Sequence, residues 1–355
     1  MKTIKIGDGK VGDGNPCYVL AEAGCNHNAN IDIARKLIDM SVEAGADGIK
    51  FQTYKADNMY SKKTPMMQHF KERLSVGENA TMYDLIKMTE LPYEMHQPIS
   101  DYCIQMGIPF LSTPFGEDDV DFLDQFDVPA YKIASFEMTH FPLIKKVAGK
   151  GKPVILSTGM STLGDIEKVL EIINAEGNDQ VILLHCVSNY PAKPEDYNLK
   201  VIQTLKSAFG YPVGLSDHTP GIEVPKIAFA VGVNLIEKHI TIDQSLPGPD
   251  HYFSLTPDEL KELVKVRNGI EKMLGNPQKR CTEAEKSMKY IGRRSLVAAK
   301  DIPAGTKIIS EMISVKRPGY GLYPELIDNL IGSITVKNIE EDEPLSWNMF
   351  VKYDK

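Results

Sequence analysis

The segment Tyr18-Val-Leu-Ala-Glu22 is a short apolar run that ends in a carboxylate, and Gly48-Ile-Lys-Phe-Gln52 is a second run that also ends in a polar residue. Runs of this length and composition are typical of buried parallel strands. Six more follow along the chain: Ile108-Pro-Phe-Leu-Ser-Thr113, Ala130-Tyr-Lys-Ile-Ala-Ser135, Pro153-Val-Ile-Leu-Ser157, Val181-Ile-Leu-Leu-His185, Pro212-Val-Gly-Leu-Ser216 and Leu235-Ile-Glu-Lys-His239. The sequence therefore predicts eight strands.

Segments with a helical spacing of apolar residues separate these strands, for example residues 31–44, 95–106 and 163–174. Strand and helix thus alternate through about 250 residues, which is the length and pattern of a (β/α)8 barrel. A doubly wound open sheet is the alternative, but no GxGxxG motif follows the first strand, and eight regular units favour closure. We therefore predict an α/β protein with a (β/α)8 TIM barrel over residues 1–275.

The sequence changes character after residue 275. The polar stretch 276–289 is predicted to be a linker, and short strand-like segments over residues 290–355 predict a small second domain rich in short strands. Within the barrel, the connection 55–92 is unusually long and carries several aromatic side chains. Long connections at the top of a barrel often cover a substrate, so we expect a lid there.

The composition argues against several classes of protein. The 355-residue chain carries 40 Lys and Arg against 48 Asp and Glu, a net charge of −8, which argues against a nucleic-acid partner. No apolar run reaches the roughly 18–20 residues of a membrane span, and the first residues lack the apolar core of a signal peptide. We therefore expect no membrane partner and a cytoplasmic location. The five cysteines form no CxxC pair, so a zinc ribbon or disulfide framework is not predicted.

Active sites in this fold lie at the carboxyl ends of the strands, and here those ends are polar. Lys50 and Lys132 stand among them, and a buried ammonium group needs an anionic partner. A phosphate or carboxylate ligand would supply it; the alternative is internal pairing with Glu22, Glu137 or Glu237. Hydroxyl groups that could surround the same anion follow several strands: Thr113, Ser135, Ser157, Ser188 and Ser216. This lining is expected for a phosphorylated carboxylic acid.

Two histidines, His218 and His239, end the seventh and eighth strands. Neighbouring strand ends bring side chains close together, so the two imidazoles could hold one divalent metal ion. Two protein ligands would leave coordination positions open for water or substrate, as a Lewis-acid site requires. The alternative is that both histidines are structural.

Several motifs, in order along the chain, resemble those of the sialic acid synthase family, the nonulosonic acid synthases: AEAGCNHN (21–28), IKFQTYKAD (49–57), STPF (112–115), YKIASFE (131–137), LSTGM (156–160), HCVSNYP (185–191), GLSDHT (214–219), EKHIT (237–241) and PGPDH (247–251). The segments RRSLVAAKDIPAGT (293–306) and VKRPGYG (315–321) are similar to the antifreeze-like (SAF) domain that ends these synthases. The resemblance covers essentially the whole chain.

The resemblance implies condensation of phosphoenolpyruvate with the open-chain aldehyde of an N-acetylmannosamine-type sugar, which gives an N-acetylneuraminate-like, nine-carbon 2-keto sugar acid and phosphate. It assigns catalysis to Glu22, Lys50 and Lys132, and a divalent ion, Mn²⁺ or Mg²⁺, to His218 and His239. The residues that it implies for substrate binding are Gln52, Thr113, Ser135, Glu137, Ser157, Ser188, Tyr190, Ser216, Asp250 and Arg317. It also implies a domain-swapped homodimer, in which the antifreeze-like domain of one subunit places Arg317 over the sugar bound to its partner.

The motifs leave the acceptor sugar open. IASFE (133–137) and RPGYGLYP (317–324) favour the pseudaminic or legionaminic acid synthases and the spore-coat polysaccharide relatives, whereas PGPDH (247–251) favours the sialic and legionaminic branch. One alternative activity is a Schiff-base aldolase that uses Lys50 or Lys132. A non-catalytic carbohydrate- or ice-binding module is a further alternative, although such a protein has no need of two histidines and a glutamate beside two lysines.

Overall fold

A computed structural model describes residues 2–74 and 77–351, and it divides into one compact unit that ends at Gly275 and another that begins at Asn276. The first unit opens with an antiparallel hairpin, β1 (Ile4–Ile6) and β2 (Gly9–Val11). Eight parallel strands then close into a barrel in which each strand pairs with its successor and the last pairs with the first. Their bounds are β3 (Tyr18–Gly24), β4 (Gly48–Thr53), β5 (Phe110–Pro114), β6 (Tyr131–Ile133), β7 (Val154–Ser157), β8 (Val181–Cys186), β9 (Val213–Asp217) and β10 (Leu235–His239). The predicted eight-stranded barrel is confirmed.

Helices follow the strands, and all but the three of the connection 55–92 pack around the barrel. Their bounds are α1 (Ile31–Ala44), α2 (Ala56–Met59), α3 (Gln68–Leu74), α4 (Met82–Thr89), α5 (Tyr93–Met106), α6 (Glu117–Asp124), α7 (Phe141–Gly149), α8 (Leu163–Ala175), α9 (Val201–Phe209), α10 (Glu223–Ala230) and α11 (Pro257–Leu274). Local sequence sets several ends: the Asn30 side chain caps the first turn of α1, and Gly45 ends that helix in the left-handed conformation. Thr162 and Asp165 form a capping box at the start of α8.

The long connection 55–92 contains α2, α3 and α4. Four buried apolar side chains on this connection, Met66, Phe70, Met82 and Leu85, form a cluster of their own. We call residues 55–92 the lid segment.

The barrel interior is apolar at one end and polar at the other. Side chains that point inward near the amino ends of the strands, such as Leu20, Leu111 and Ile155, pack with Ile4 and Ile6 of the hairpin. Because side chains alternate along a strand, the next inward position after Leu20 is Glu22. The inward-pointing side chains are therefore apolar near the amino ends of the strands, and the next layer, at the carboxyl ends, is polar.

The second unit is small and rich in short strands, as predicted. It contains a 3-10 turn (Glu283–Glu285), α12 (Lys286–Gly292), β11 (Ser295–Ala298), β12 (Ile313–Lys316), α13 (Ile327–Leu330), β13 (Ile334–Thr335) and β14 (Phe350–Val351). Strand β11 pairs with β12 and β13 with β14, both antiparallel, around a core that includes Leu296, Ile308 and Leu345. The turn and the first residues of α12 lie within the stretch 276–289, where a linker is predicted. Across residues 2–74 and 77–351, no helix is both long and apolar enough to span a membrane.

Candidate active site

Strand register brings the polar ends of three strands to one level. In the parallel ladders, Glu22 of β3 lies opposite Lys50 of β4 on one side and opposite His239 of β10 on the other. Likewise Ser216 of β9 lies opposite Glu237 of β10. A cavity at this end of the barrel is lined by these residues together with Thr113, Lys132, Ser135, Ser157, Cys186 and His218. We call it the inner cavity.

Two lysines and two glutamates form a buried ion-pair cluster in the inner cavity. Lys50 Nζ lies 2.7 Å from Glu22 Oε2 and 3.6 Å from Glu237 Oε2, and Lys132 Nζ lies 3.6 Å from Glu237 Oε1. Internal pairing, the alternative to an anionic ligand, is thus observed for Glu22 and Glu237. The cluster holds two cations and two carboxylates in a space from which water is largely excluded, so its charges interact strongly.

Burial and these charges set the pKa values of the cluster. Burial raises the pKa of the Glu22 carboxyl to about 7. The negative charge of Glu237 also raises this pKa, and the positive charge of Lys50 lowers it only in part. For Glu237, burial acts in the same direction, but Lys132 and Lys50 outweigh it and lower the pKa to about 2. Burial also lowers the pKa of Lys132, and Glu237 restores only part of it. Glu22 is therefore the carboxyl that can exchange a proton near neutral pH.

Hydroxyl groups surround the cluster. Lys50 Nζ donates to Thr113 Oγ1 at 2.9 Å, and Ser216 Oγ donates to Glu237 Oε1 at 2.8 Å. The hydroxyl oxygens of Ser157 and Ser188 are buried and have no hydrogen-bond partner within the described residues. A buried hydroxyl without a partner is destabilising by about 1–3 kcal/mol, so these two groups are ready for an acceptor supplied by a ligand.

Gly159 allows the loop after β7 to approach the hydroxyls closely. Its N–H donates to Ser135 Oγ at 3.0 Å. A Cβ atom at this position would stand 2.4 Å from Ser188 Oγ and 2.9 Å from Ser135 Oγ, which no real side chain tolerates. Only glycine therefore allows the backbone at this position to pack against the Ser135 and Ser188 hydroxyls as it does here.

His218 and His239 face each other, with ring centroids 5.5 Å apart. His218 Nδ1 lies 2.9 Å from the carbonyl oxygen of Val187, which can only accept, so Nδ1 carries the hydrogen and Nε2 is the ring nitrogen left for a ligand. His239 Nδ1 is buried and makes no hydrogen bond within the described residues; Asp250 Oδ2 is 3.6 Å away.

The donor set fits a divalent ion held by two protein ligands. Burial lowers the pKa of His239 well below 6.5, and the nearby positive charges act in the same direction, so its imidazole is neutral, which is the form that binds metals. Over residues 2–74 and 77–351, no group of three or more His, Cys, Asp or Glu side chains is arranged to hold a metal. Any ion here would thus take its other ligands from solvent or substrate.

A second cavity, of about 240 Å³, adjoins the inner one, and we call it the outer cavity. The two share Gln52, Phe115, Ala134, Phe136, Tyr190 and His239 as lining residues. Gln52 Nε2 donates to Glu22 Oε1 at 2.8 Å, and Asp250 Oδ2 accepts from Cys25 Sγ at 3.3 Å. The remaining wall comes from Tyr54, Ser188, Asn189, Pro249 and the lid segment.

Glu137 is predicted to bind substrate but does not line either cavity, and Arg317 is described with the second unit. Glu137 lies in a 3-10 turn (Ser135–Glu137) after β6, where its carboxylate is 3.1 Å from Nδ1 of His140, and it lines neither cavity. Arg317 belongs to the second unit, where it is exposed and its Nε donates to the carbonyl of Gly292 at 2.7 Å. The other predicted site residues all line the inner or the outer cavity.

Sequence reasoning considered Glu237 only as a possible partner of the lysines and gave it no role in binding or catalysis, and it did not assign Cys186 or Gly159 to the site. For Glu237 the signal was present: Leu235, Glu237 and His239 alternate along β10 and share one face, so the residue before His239 on that face also points into the barrel. Gly159 lies in the LSTGM motif, but the need for glycine at this position arises from its contacts with Ser135 and Ser188. These two serines are distant from it in the sequence, so no local pattern indicates the contacts.

The comparisons with known proteins cover nearly the whole chain. The NeuB family model matches residues 37–279, and the SAF domain model matches residues 293–351. The N,N'-diacetyllegionaminic acid synthase of Legionella pneumophila is 40% identical, with 95% of each chain covered. The crystal structure of spore coat polysaccharide biosynthesis protein spsE from Bacillus subtilis is 36% identical, with a TM-score of 0.67 over 99% of this chain and 100% of that one.

The crystal structure of N-acetylneuraminic acid synthetase from Leptospira borgpetersenii, in complex with citrate, is also 36% identical, with a TM-score of 0.71 over 81% of this chain and 94% of that one. The family match extends over more than half of the chain, through the strands that carry Lys50, Lys132, Glu237 and both histidines. The chain therefore belongs to the NeuB family and carries a C-terminal SAF domain.

Proposed function

We propose that the protein is a cytoplasmic transferase that condenses phosphoenolpyruvate with the open-chain aldehyde of an N-acetylated amino sugar, giving a nine-carbon 2-keto sugar acid and inorganic phosphate. Relatives named as legionaminic acid and N-acetylneuraminic acid synthases support this reaction. The observation that carries the proposal is the inner cavity, where Lys50 and Lys132 stand beside the hydroxyl of Ser157, which has no partner within the described residues. A second such hydroxyl, that of Ser188, lies in the wall of the adjoining outer cavity.

Phosphoenolpyruvate has a phosphate and a carboxylate, and the inner cavity offers donors for both. The two lysines provide charge, and the serine hydroxyls provide neutral donors that lack any other partner. In this low-dielectric site, charge-assisted hydrogen bonds to phosphate oxygens are stronger than their counterparts in water. Bound there, the enol carbon would face the outer cavity, from which the sugar aldehyde would approach.

The reaction needs a proton at one oxygen and removes a proton from another. When the enol carbon attacks the aldehyde carbon, the aldehyde oxygen becomes an alkoxide and the second carbon of phosphoenolpyruvate becomes an oxocarbenium. Water then adds to that carbon and loses a proton, and the tetrahedral intermediate expels phosphate to leave the ketone. Glu22, with a pKa of about 7, is the group that can exchange protons in both steps. Lys50 and Lys132 stabilise the charge on the departing phosphate.

We also propose that His218 and His239 hold a divalent ion, Mn²⁺ or Mg²⁺, which would supply Lewis-acid stabilisation for developing negative charge. The neutral state of His239 and its unpartnered Nδ1 support this assignment. The chain itself keeps both rings in place: the Val187 carbonyl fixes the tautomer of His218, and Gly24 gives the His239 ring room at the end of β3.

The test is phosphate release from phosphoenolpyruvate with Mn²⁺ and each of three acceptors: N-acetylmannosamine, its 6-phosphate and a 2,4-diacetamido-2,4,6-trideoxyhexose. We expect release only with an acceptor and loss of release with EDTA. In H₂¹⁸O the label should enter the keto acid and not the phosphate, because water attacks carbon. Label in phosphate would indicate simple hydrolysis, and an adduct trapped by borohydride would indicate the Schiff-base aldolase; either result would refute the proposal.

We further propose a domain-swapped homodimer, in which Arg317 of one subunit contacts the sugar bound by the other. Mixing Arg317→Ala with the inactive variant His239→Ala tests this directly, at a sugar concentration so far below the raised KM of Arg317→Ala that this variant alone shows almost no turnover. In a swapped dimer, a mixed pair has one site with both functional groups, so mixing should restore about a quarter of the wild-type activity after subunit exchange. If Arg317 served its own barrel, mixing would restore none.

A further inference from the structure

Lys238 is a buried lysine that has no part in the proposed reaction. It lies on β10 between Glu237 and His239, which both point into the barrel, and it is 1% exposed. Because side chains alternate along a strand, Lys238 points outward, into the layer between the barrel and its helices. Leu215 and Ile236, which also point outward from β9 and β10, belong to the apolar core of that layer. The Lys238 ammonium group therefore lies among apolar side chains and needs a partner of opposite charge.

Asp217 and Thr219 supply the partners of Lys238. Lys238 Nζ lies 2.5 Å from Asp217 Oδ2, and it also donates to the backbone carbonyl oxygen of Thr219. Asp217 Oδ1 accepts from the backbone N–H and from the hydroxyl of Thr219, each at 3.0 Å. All three residues are buried. We call Asp217, Thr219 and Lys238 the Lys238 cluster.

The Lys238 cluster joins the chain on both sides of His218 to the residue that precedes His239. Asp217 comes directly before His218, and Thr219 comes directly after it. Lys238 lies opposite Asp217 in the last pair of the ladder between β9 and β10. The contacts of one ammonium group therefore fix the end of β9 to the end of β10, at the place where the two imidazoles face each other.

A buried ion pair is an expensive way to fill an apolar layer. Replacement of such a pair by apolar side chains of similar size is often neutral or stabilising, because two charges no longer have to be removed from water. The hydrogen bonds of the cluster are directional, however, and they hold the backbone of Thr219 in one position relative to β10. Apolar side chains in the same place would pack equally well without fixing that position.

We propose that Lys238, Asp217 and Thr219 are positioning residues that set the separation of the two imidazoles for the divalent ion. This inference rests on the proposed function, and in particular on its metal site. The three residues are not among the described residues that line the inner cavity, so they act through His218 and His239. Loss of such supporting contacts behind metal ligands typically lowers metal affinity by about 10–100-fold.

Mn²⁺ binding to the substrate-free protein, followed by the electron paramagnetic resonance signal of the free ion, tests this inference. Thr219→Val keeps the shape of the side chain and removes its hydroxyl, and we expect the Kd for Mn²⁺ to rise about tenfold or more. Thr219→Ser keeps the hydroxyl and should bind Mn²⁺ with the wild-type Kd. An unchanged Kd in Thr219→Val would overturn the inference.

A double substitution separates positioning from stability. Lys238→Met and Asp217→Leu each leave one buried charge unpaired, so each variant should unfold at a lower urea concentration than the wild type. The double variant removes both charges and should recover the wild-type urea midpoint, while its Kd for Mn²⁺ stays about tenfold or more above that of the wild type. Recovery of both properties would show that the pair only stabilises the fold, and it would overturn the inference.

Two controls complete the experiment. Arg267 Nη1 lies 2.5 Å from Asp47 Oδ2, just before β4 at the amino end of the barrel, so Arg267→Met should lower the urea midpoint without changing the Kd for Mn²⁺. His239→Ala should lose Mn²⁺ binding. If it binds Mn²⁺ as the wild type does, or if the wild type binds none, the metal assignment is refuted and the inference with it. Loss of binding in His239→Ala together with an unchanged Kd in Thr219→Val would refute the inference alone.

Discussion

Replacing the Glu22 carboxyl by an amide should abolish a loss of stability that the wild-type protein undergoes between pH 4.5 and about 7, and it should also remove turnover. Burial raises the pKa of this carboxyl from its ordinary 4.5 to about 7, with a contribution from the charge of Glu237 and in spite of Lys50. Between these two values the folded protein holds a proton that the unfolded chain has lost. The stability contribution of this group is therefore complete below pH 4.5 and decreases as the pH rises to 7.

The size of the effect follows from the two pKa values. Each pH unit between 4.5 and about 7 corresponds to about 1.4 kcal/mol, so ionised Glu22 destabilises the fold by about 3 kcal/mol relative to the protonated form. Glutamine has nearly the same shape and cannot ionise. The free energy of unfolding of Glu22→Gln, relative to the wild type, should thus rise by about 3 kcal/mol between pH 4.5 and pH 8.

Urea unfolding of both proteins at several pH values, without added divalent ions, measures this difference. An exposed glutamate on α8 provides the matched control variant, Glu167→Gln, which is unfolded in parallel at the same pH values. Turnover of Glu22→Gln should fall by about 10²–10⁴-fold, the usual contribution of a general acid or base. A stability difference that does not change with pH would show that Glu22 ionises normally, and the proposed proton exchange would lose its basis.

Four further substitutions have defined outcomes. His239→Ala should abolish turnover with an unchanged circular dichroism spectrum, and full activity in this variant would contradict the metal assignment. Ser157→Ala should leave the unfolding free energy unchanged or slightly higher, because the buried Ser157 hydroxyl has no partner in the described structure. The same variant should raise the KM for phosphoenolpyruvate about tenfold or more. An unchanged KM would exclude this serine from the anion site. Lys238 Nζ lies 2.5 Å from the carboxylate of Asp217, and both side chains are fully buried. Lys238→Met leaves this carboxylate without its cation and should therefore lower the unfolding free energy by about 3–5 kcal/mol. Arg317→Ala should raise the KM for the sugar far more than that for phosphoenolpyruvate, and equal increases would contradict contact with the sugar.

The barrel could be predicted because its signal is periodic and local. Each strand is a short apolar run, and each run stops at a polar residue, so both the fold and the end of the barrel that carries the site follow from the sequence. Prediction of Glu22, Lys50 and His239 as neighbours needed only the assumption of a parallel register, which the ladders confirm.

Other features depend on distances that no local pattern encodes. The sequence offered Glu22, Glu137 and Glu237 equally as partners for the lysines, but Glu137 lies in a turn beside His140, and only the other two reach the cluster. Similarly, the lid segment was predicted from its length and aromatic content, whereas its apolar cavity depends on how α2, α3 and α4 pack. That packing brings together residues such as Met59 and Ile86 that are far apart in sequence.

The ion-pair cluster explains how the proposed site for a multiply charged anion can fold without its ligand. Burying two lysines alone would strongly destabilise the fold, and Glu22 and Glu237 offset part of that cost in the free protein. An incoming anion must then compete with these carboxylates for the same cations. Glu22 has a pKa near 7, so it can take up a proton and release Lys50 to the ligand. Glu237, with a pKa of about 2, keeps its negative charge and continues to position Lys132. When the substrate displaces Glu22 from Lys50, the Glu22 carboxyl is thus protonated and lies beside the reacting carbons, where the proposed reaction needs a proton donor.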